Sequence, residues 1–357
     1  MSPGGTTVTD RQPDAAHRAG DRGRVVHLLF GFFPAQVIHA IAQLEVAEHL
    51  AAGPLPLDEL ARRTGTHPPS LYRLLRAAAA LDLVRLEPGG LAALSPDGGL
   101  LRRAAPGSVG RLAMLFCGDQ TWRSWGELAE SVRTGQPAFD SITGRSAFAF
   151  LAEHPELAAV FTEAMAEVSR AAAPAVVASC DLSGIATLAD LGGGNGTLLS
   201  EFLAATPGLR GILFDTAEGL GDADEVLAAA GVADRTEQVA GDFFTAVPPR
   251  CDGYLLKSVL HDWNDEDCLR ILATTRAAMG PHATLFVVEP VVPTDREGLA
   301  RAQVTLMSDL NMLVCTGGRE RTEDEFSTLL AGAGLRLTDV TRCPPPTGYS
   351  VLRAVPA

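Results

Sequence analysis

His261 is the residue most able to move a proton. It follows the largely apolar run Tyr254–Leu260 and precedes Asp262. Imidazole titrates at about 6.5, so a histidine there takes a proton near neutral pH. Two acids come later, Glu289 and Glu320, at positions that could orient or polarise the ring. Glu289 ends the run Leu285-Phe-Val-Val-Glu, and a charge closing so apolar a stretch needs a partner. That partner is either the imidazole or a nearby arginine. Glu320 lies in Gly317-Gly-Arg-Glu-Arg-Thr, which taken alone reads as a surface loop. Each of the three, taken singly, also has a structural reading.

A second constellation suits a nucleoside. Leu188–Gly196 reads Leu-Ala-Asp-Leu-Gly-Gly-Gly-Asn-Gly and runs into Leu198, Leu199 and Phe202. That pattern is strand, tight turn, helix. Glycines at 192, 194 and 196 let the backbone adopt unusual dihedrals and let a ligand approach the main chain. The helix that follows offers free N–H groups and a positive dipole end. The loop alone is equally consistent with a turn that binds nothing. Asp215 ends Gly211-Ile-Leu-Phe-Asp, 19 residues after Gly196. A carboxylate at the tip of the second strand can accept two hydrogen bonds from a ribose diol. The last glycine of a dinucleotide Gly-x-Gly-x-x-Gly would fall at Thr197. This favours a nucleoside cofactor without a pyrophosphate over a nicotinamide dinucleotide.

The elements that must position these residues alternate from Asp181 onward. Strands are predicted over 188–191, 211–215, 236–240, 254–259, 283–289, 335–340 and 349–354. Helices are predicted over 197–204, 223–230, 266–278, 298–313 and 322–333. This is an α/β fold with a doubly wound, mostly parallel sheet, whose ligands sit at the C-terminal strand ends. Asp190, Asp215, Asp242, His261 and Glu289 all fall at or near such ends.

The N-terminal half reads as helical. Residues 25–52 are apolar on more than one face, including Leu28, Leu29, Phe30, Phe32 and Phe33, which suits a subunit interface or a core helix. Residues 57–63 and 70–81 form two helices, and 84–86 and 91–94 form a hairpin wing. That is a winged helix-turn-helix. Seven arginines against five acids over residues 54–105 give too weak a basic excess for groove reading, so a dimerisation scaffold is the better reading. Further helices are expected over 112–133, with Trp122 and Trp125, and over 145–150 and 156–173. Phe161 and Met165 stand at i, i+4, as core or as the lining of a substrate pocket.

The chain has 357 residues and a net charge of −14, with 46% hydrophobic and 20% charged residues. It is long enough for two domains with full cores, and its acidity argues against nucleic-acid binding. The six cysteines show no metal-ligand or disulfide spacing. No apolar run is read as membrane-spanning, and a cytoplasmic location is expected. Residues 1–22 read as a disordered leader. Lys257 is the only lysine, on a strand in an arginine-rich chain.

Four motifs occur in order: Asp190-Leu-Gly-Gly-Gly-Asn-Gly, Gly241-Asp-Phe-Phe, Leu256-Lys-Ser-Val-Leu-His-Asp-Trp and Gly317-Gly-Arg-Glu-Arg-Thr. Together they resemble the S-adenosylmethionine-dependent small-molecule O-methyltransferases, which include plant caffeate-type and bacterial antibiotic-tailoring enzymes. The likeness covers nearly the whole chain from about residue 25. It implies a class I methyltransferase Rossmann-like domain over residues 181–357. A winged-helix dimerisation domain would span 23–108, and a helical, pocket-lining segment 109–180.

The resemblance also implies roles. Gly192 and Gly194 would shape the turn under the methionine part of S-adenosylmethionine, and Asp215 would hold its ribose. Asp242 and Phe243 would flank the adenine, with Trp263 beside it. Lys257 would reach the cofactor, and Arg145 would bind its carboxylate. His261 would be the general base, flanked by Glu289 and Glu320. Phe161, Met165, Met307 and Asn311 would line the substrate pocket. The implied reaction moves a methyl group to a hydroxyl, with a phenol as the expected acceptor, of a small aromatic or polyketide-like secondary metabolite. It leaves S-adenosylhomocysteine, requires no metal, and is run by a homodimer without nucleic-acid or membrane partners. Other readings are non-methylating chemistry such as hydroxylation, a small-molecule-sensing winged-helix regulator, and a nicotinamide oxidoreductase.

Overall fold

The structure, a computed structural model, describes residues 21–357. The expected leader over 1–22 lies outside the described residues except for its last two, and Asp21 already caps a helix that starts at Arg22.

Among the described residues, ten strands form two sheets. The small one contains β1 (Leu55–Pro56), β2 (Val84–Glu87) and β3 (Leu91–Leu94) in the order β1-β3-β2, all antiparallel. It packs beside the helices Leu57–Arg63 and Pro68–Ala80, so the expected winged helix is present. Pro68 opens the second helix, where a missing N–H costs nothing. Leu60, Leu71, Leu75 and Ala92 share its core.

The large sheet runs β4 (Thr187–Leu191), β5 (Arg210–Asp215), β6 (Thr236–Ala240), β7 (Gly253–Lys257), β8 (Thr284–Pro290), β9 (Leu335–Arg342) and β10 (Tyr349–Pro356). Its spatial order is β6-β5-β4-β7-β8-β10-β9. The first five in that order pair in parallel, and β10 is antiparallel to both β8 and β9. The central strands β7 and β8 are buried almost end to end, while the edge strands β6 and β9 are largely exposed. This is the signature of a parallel sheet covered on both faces. Successive residues point to opposite faces. Tyr254, Leu256, Leu285 and Val287 enter one core, and Leu255, Phe286 and Val288 enter the other. The strand order reverses between β4 and β7, and a crevice opens at their C-terminal ends.

The long helix Pro155–Ser179 joins the two halves. Its buried Glu167 accepts hydrogen bonds from Ser108 Oγ at 2.6 Å and from the backbone N–H groups of Arg111 and Leu112. These last are donors in the first turn of the helix Gly110–Phe116, which lack partners within that helix.

Two expectations change and a third gains a detail. The helix expected over 298–313 is two, Arg296–Arg301 and Gln303–Cys315, divided at Ala302. The strand expected to reach Val259 stops at Lys257, because Ser258 adopts a left-handed φ of 53°. Finally, the stretch Arg22–Gln43 is long and apolar enough to cross a membrane, by length and composition alone. It carries Arg22 and Arg24, and a turn at Phe30-Gly31 divides it into the helices Arg22–Leu29 and Phe32–Gln43, so it is not a clear span. Within it Val25, Leu28, Leu29, Phe30 and Phe33 are at least half exposed in the single chain, whereas Ile41 is buried.

Candidate active site

A cavity of about 960 Å³ opens over the C-terminal ends of β4, β5 and β7. Its floor is the glycine turn after β4. Gly192 and Gly194 have φ of 71° and 58°, which L side chains rarely adopt. A Cβ on Gly192 would come within 2.9 Å of Val259 Cγ2, whereas one on Gly194 would project into open space. Asp215, at the tip of β5, accepts a hydrogen bond from Gly194 N–H at 2.8 Å. Its other oxygen accepts from Thr216 N–H. Burial raises the Asp215 carboxyl above its ordinary pKa, partly offset by those N–H groups. Lone pairs remain on both oxygens for a ligand diol.

Asp190 lies beneath this turn. It is 2% exposed, and its Oδ2 has no hydrogen-bond partner. Burial, and then the charge of Asp215, push its carboxyl up to about 7. An orphaned buried acceptor beside a glycine cradle fits a polar or cationic group arriving with a ligand. Lys257, ending β7, donates to Ser169 Oγ at 3.2 Å and sits 5.1 Å from the Tyr349 ring centroid.

Aromatic rings form one wall. Trp263 stacks on Phe148 with centroids 5.3 Å apart and meets Phe243 and Phe244 edge-on. Asp242 also lines the cavity, but its carboxylate is engaged locally, by Phe244 N–H and the Thr245 hydroxyl.

His261 lines the same cavity from the short turn Leu260–Asp262. Its Nδ1 is 3.0 Å from Glu320 Oε1 and 3.6 Å from Glu289 Oε2. A carboxylate only accepts, so Nδ1 carries the proton. That leaves Nε2, with Asp262 Oδ2 4.0 Å away, as the nitrogen free for chemistry.

The two glutamates differ in what they hold. Glu320 Oε1 also accepts from Ser308 Oγ at 2.7 Å. Glu289 Oε1 instead accepts from the backbone N–H groups of Val259 and His261, so it fixes the turn as much as the ring. Each glutamate leaves Oε2 buried and unpaired. Burial alone would depress the His261 pKa, but the negative charges of Glu289 and Asp262 and the hydrogen bond to Glu320 outweigh it, and the imidazole titrates well above its usual value. Burial raises Glu289 to about 7. The three side chains offer ligand atoms within 4.8 Å of one another, close enough to hold a metal ion.

The turn that carries His261 is clamped from outside. Arg319 N–H donates to His261 O at 2.8 Å. Buried Arg321 donates to the carbonyls of Leu260 and Trp263 and pairs with Asp265. A Cβ on Gly318 would lie 2.0 Å from His261 O, so only glycine fits that crossing.

The substrate-side expectations converge as well. Phe161, Met165, Met307 and Asn311 all line the cavity. Arg145 does not: its guanidinium pairs with Glu153 at 3.2 Å and is 59% exposed. The helix expected to begin there starts two residues later, at Ala147, after a left-handed Gly144 that turns the arginine outward. Phe148, Ser308 and Trp125 were not foreseen as site residues. Ser308 falls one turn before Met312 and Asn311 one before Cys315 on a lining helix, so helical spacing points to Ser308. Trp125 comes from a distant helix, and no local signal marks it.

Comparison with known proteins agrees with this geometry. The family model of the O-methyltransferase domain matches residues 125–336, and that of the O-methyltransferase dimerisation domain matches residues 26–95. The chain is 39% identical over 353 residues to O-demethylpuromycin-O-methyltransferase of Streptomyces alboniger, covering 98% of this chain and 93% of that protein. It superposes on the structure of mitomycin 7-O-methyltransferase with a TM-score of 0.85 and 37% identity, over 94% of this chain and 97% of the other. It also superposes on an O-methyltransferase of neocarzinostatin biosynthesis, in complex with S-adenosylmethionine and 2-hydroxy-5-methyl naphthoic acid. There the TM-score is 0.78 and the identity 30%, over 96% of this chain and all of the other.

Proposed function

The chain belongs to the O-methyltransferase family, and from that premise we propose that it methylates a phenolic hydroxyl of a small aromatic secondary metabolite, with His261 as general base. The observation that carries this reading is the orientation of His261. Nδ1 is tied to Glu320, and Nε2 is left in the cavity that also contains the glycine turn and Asp215.

S-adenosylmethionine, when bound, supplies an activated methyl group on a sulfonium. Asp215 would hold the ribose hydroxyls, and Gly192 and Gly194 leave room for the ligand against the main chain. Phe243 and Trp263 offer flat apolar surface for the base. Lys257 and the unpaired Asp190 oxygen supply opposite charges near the amino-acid end. Arg145 has no part in this assignment. Phe161, Met165 and Met307 give the acceptor an apolar bed, which aligns it and excludes water. His261 Nε2 takes the hydroxyl proton, and the Glu320 and Glu289 carboxylates stabilise the imidazolium that results.

The apolar exposed face of residues 25–33, extended by Trp122, is read as the homodimer contact. It is too large to leave in water, and most of it falls within the dimerisation match. That favours a partner copy over a membrane as its cover.

The test is transfer of label from S-adenosylmethionine to a panel of phenols, run with and without a chelator. Transfer is expected to survive the chelator, and His261→Ala is expected to lose on the order of 10²–10⁴-fold in turnover with cofactor affinity retained. Wild-type turnover in the variant would remove the base assignment. Loss of transfer on chelation would make the His261–Glu289–Glu320 cluster a metal site instead.

A further inference from the structure

Trp125, on the helix Asp119–Gly126, donates its indole N–H to Asn311 Oδ1 at 2.9 Å. The contact spans 186 residues of sequence and ties that helix to the helix Gln303–Cys315. Indole nitrogen can only donate, so it dictates which end of the carboxamide faces it. Cys315 Sγ lies 3.7 Å from the same oxygen, a second donor on the same side. The amide oxygen is therefore committed. The Asn311 NH2 group has no acceptor among the described residues, and it is not among the buried orphans. Asn311 and Trp125 both line the cavity, so the free end of the carboxamide is open to a ligand.

We propose that Trp125 is a positioning residue that fixes the Asn311 carboxamide with its NH2 toward the substrate, so that the enzyme selects hydroxyaromatic substrates carrying a second, hydrogen-bond-accepting group such as a carbonyl. This rests on the methyl-transfer reading and adds a substrate class to it. Around Asn311 the wall is mostly apolar, with Met307, Met312 and Phe139 nearby in the lining. A fixed donor in such a wall discriminates by the acceptor it meets or fails to meet, because an unmatched polar group is left desolvated. Without the indole bond the carboxamide is free to rotate, and it could present its oxygen equally well.

The experiment uses naphthols bearing an acetyl group at each ring position, each matched with its isopropyl counterpart of similar shape. Affinity is read by calorimetry on the full chain saturated with S-adenosylhomocysteine, and kcat/KM by label transfer. For at least one position the acetyl compound is expected to bind about tenfold tighter than its partner. Asn311→Leu should bring that ratio to about one. Trp125→Phe, which keeps the ring and removes the N–H, should cut it several-fold, and adding it to Asn311→Leu should change nothing more.

Equal affinity at every position overturns the proposal. So does a Trp125→Phe protein that weakens both compounds alike and keeps the wild-type ratio, since that is a structural effect only. A preserved binding preference with no label reaching any hydroxyl sinks methyl transfer to oxygen while leaving the carboxamide assignment standing. Should Trp125→Phe fail to fold, the Trp125 indole resonance in protein labelled with 15N-tryptophan makes the same decision. It should shift upfield in Asn311→Leu, and an unmoved resonance counts against the bond.

Discussion

Replacing Glu320 with glutamine separates the charge of that residue from its shape. In the native protein Glu320 Oε1 accepts from His261 Nδ1 at 3.0 Å and from Ser308 Oγ at 2.7 Å. Glutamine can keep both bonds through its carbonyl oxygen and places its NH2 where Oε2 has no partner. What is lost is the negative charge facing the imidazolium as it forms. A hydrogen bond to a charged group contributes about 1.5–3 kcal/mol and a neutral one about 0.5–1.5. The difference is about 1–1.5 kcal/mol, or roughly a 5- to 13-fold loss in the maximal rate.

A second effect runs the other way. The base must be neutral to accept a proton, and the surrounding carboxylates hold the His261 pKa well above normal against the opposing pull of burial. The native kcat/KM should therefore rise with pH and level off only above that raised value. In Glu320→Gln the pKa falls, so the rising limb moves to lower pH while the plateau drops. The assay is kcat/KM by label transfer from about pH 5 to about pH 9 with an alkyl phenol, which ionises only near pH 10. A rising limb that stays in place, or a plateau equal to the native one, would refute the reasoning.

Asp215→Ala should weaken S-adenosylmethionine binding by at least about tenfold, since two hydrogen bonds to a carboxylate disappear; unchanged calorimetric affinity would take Asp215 out of the site. Asp190→Asn should stabilise the cofactor-free protein in a pH-dependent way. The folded Asp190 carboxyl ionises at about 7 against 3.8 ordinarily, so the native chain loses stability as pH rises through that window. The asparagine variant does not, and the gap should grow between those values to on the order of 2–4 kcal/mol and then stay flat. Thermal midpoints across pH check this, and a pH-independent gap would contradict it. Leu29→Ser with Phe33→Ser should convert a dimer to a monomer in sedimentation, because both side chains are more than half exposed in the single chain. A dimer that persists would place the contact elsewhere.

The sheet was legible because its strands are short apolar runs bounded by glycine and charge, and the order of motifs matched one family. The site was legible where chemistry lies within a motif. The glycine turn, Asp215 and His261 each sit at a strand end, and strand ends can be read from periodicity. Arg145 shows that a motif fixes sequence position and not side-chain direction: it follows a left-handed Gly144, and its guanidinium pairs with Glu153. The division of labour between Glu289 and Glu320 depends on which oxygen meets which N–H across 28 and 59 residues. Trp125 is further out of reach, since its bond to Asn311 exists only once two distant helices lie side by side.

The grip of Gly318, Arg319 and Arg321 on the turn around His261 has a consequence for how such an enzyme diversifies. The imidazole proposed as the base is held through backbone contacts that no change of substrate needs to disturb. Met307 and Met165 project from helices outside that grip and are free to be exchanged one at a time, while Asn311 changes together with Trp125. New acceptor molecules can thus be accommodated by altering the furniture of the room while the machine in it stays where it is.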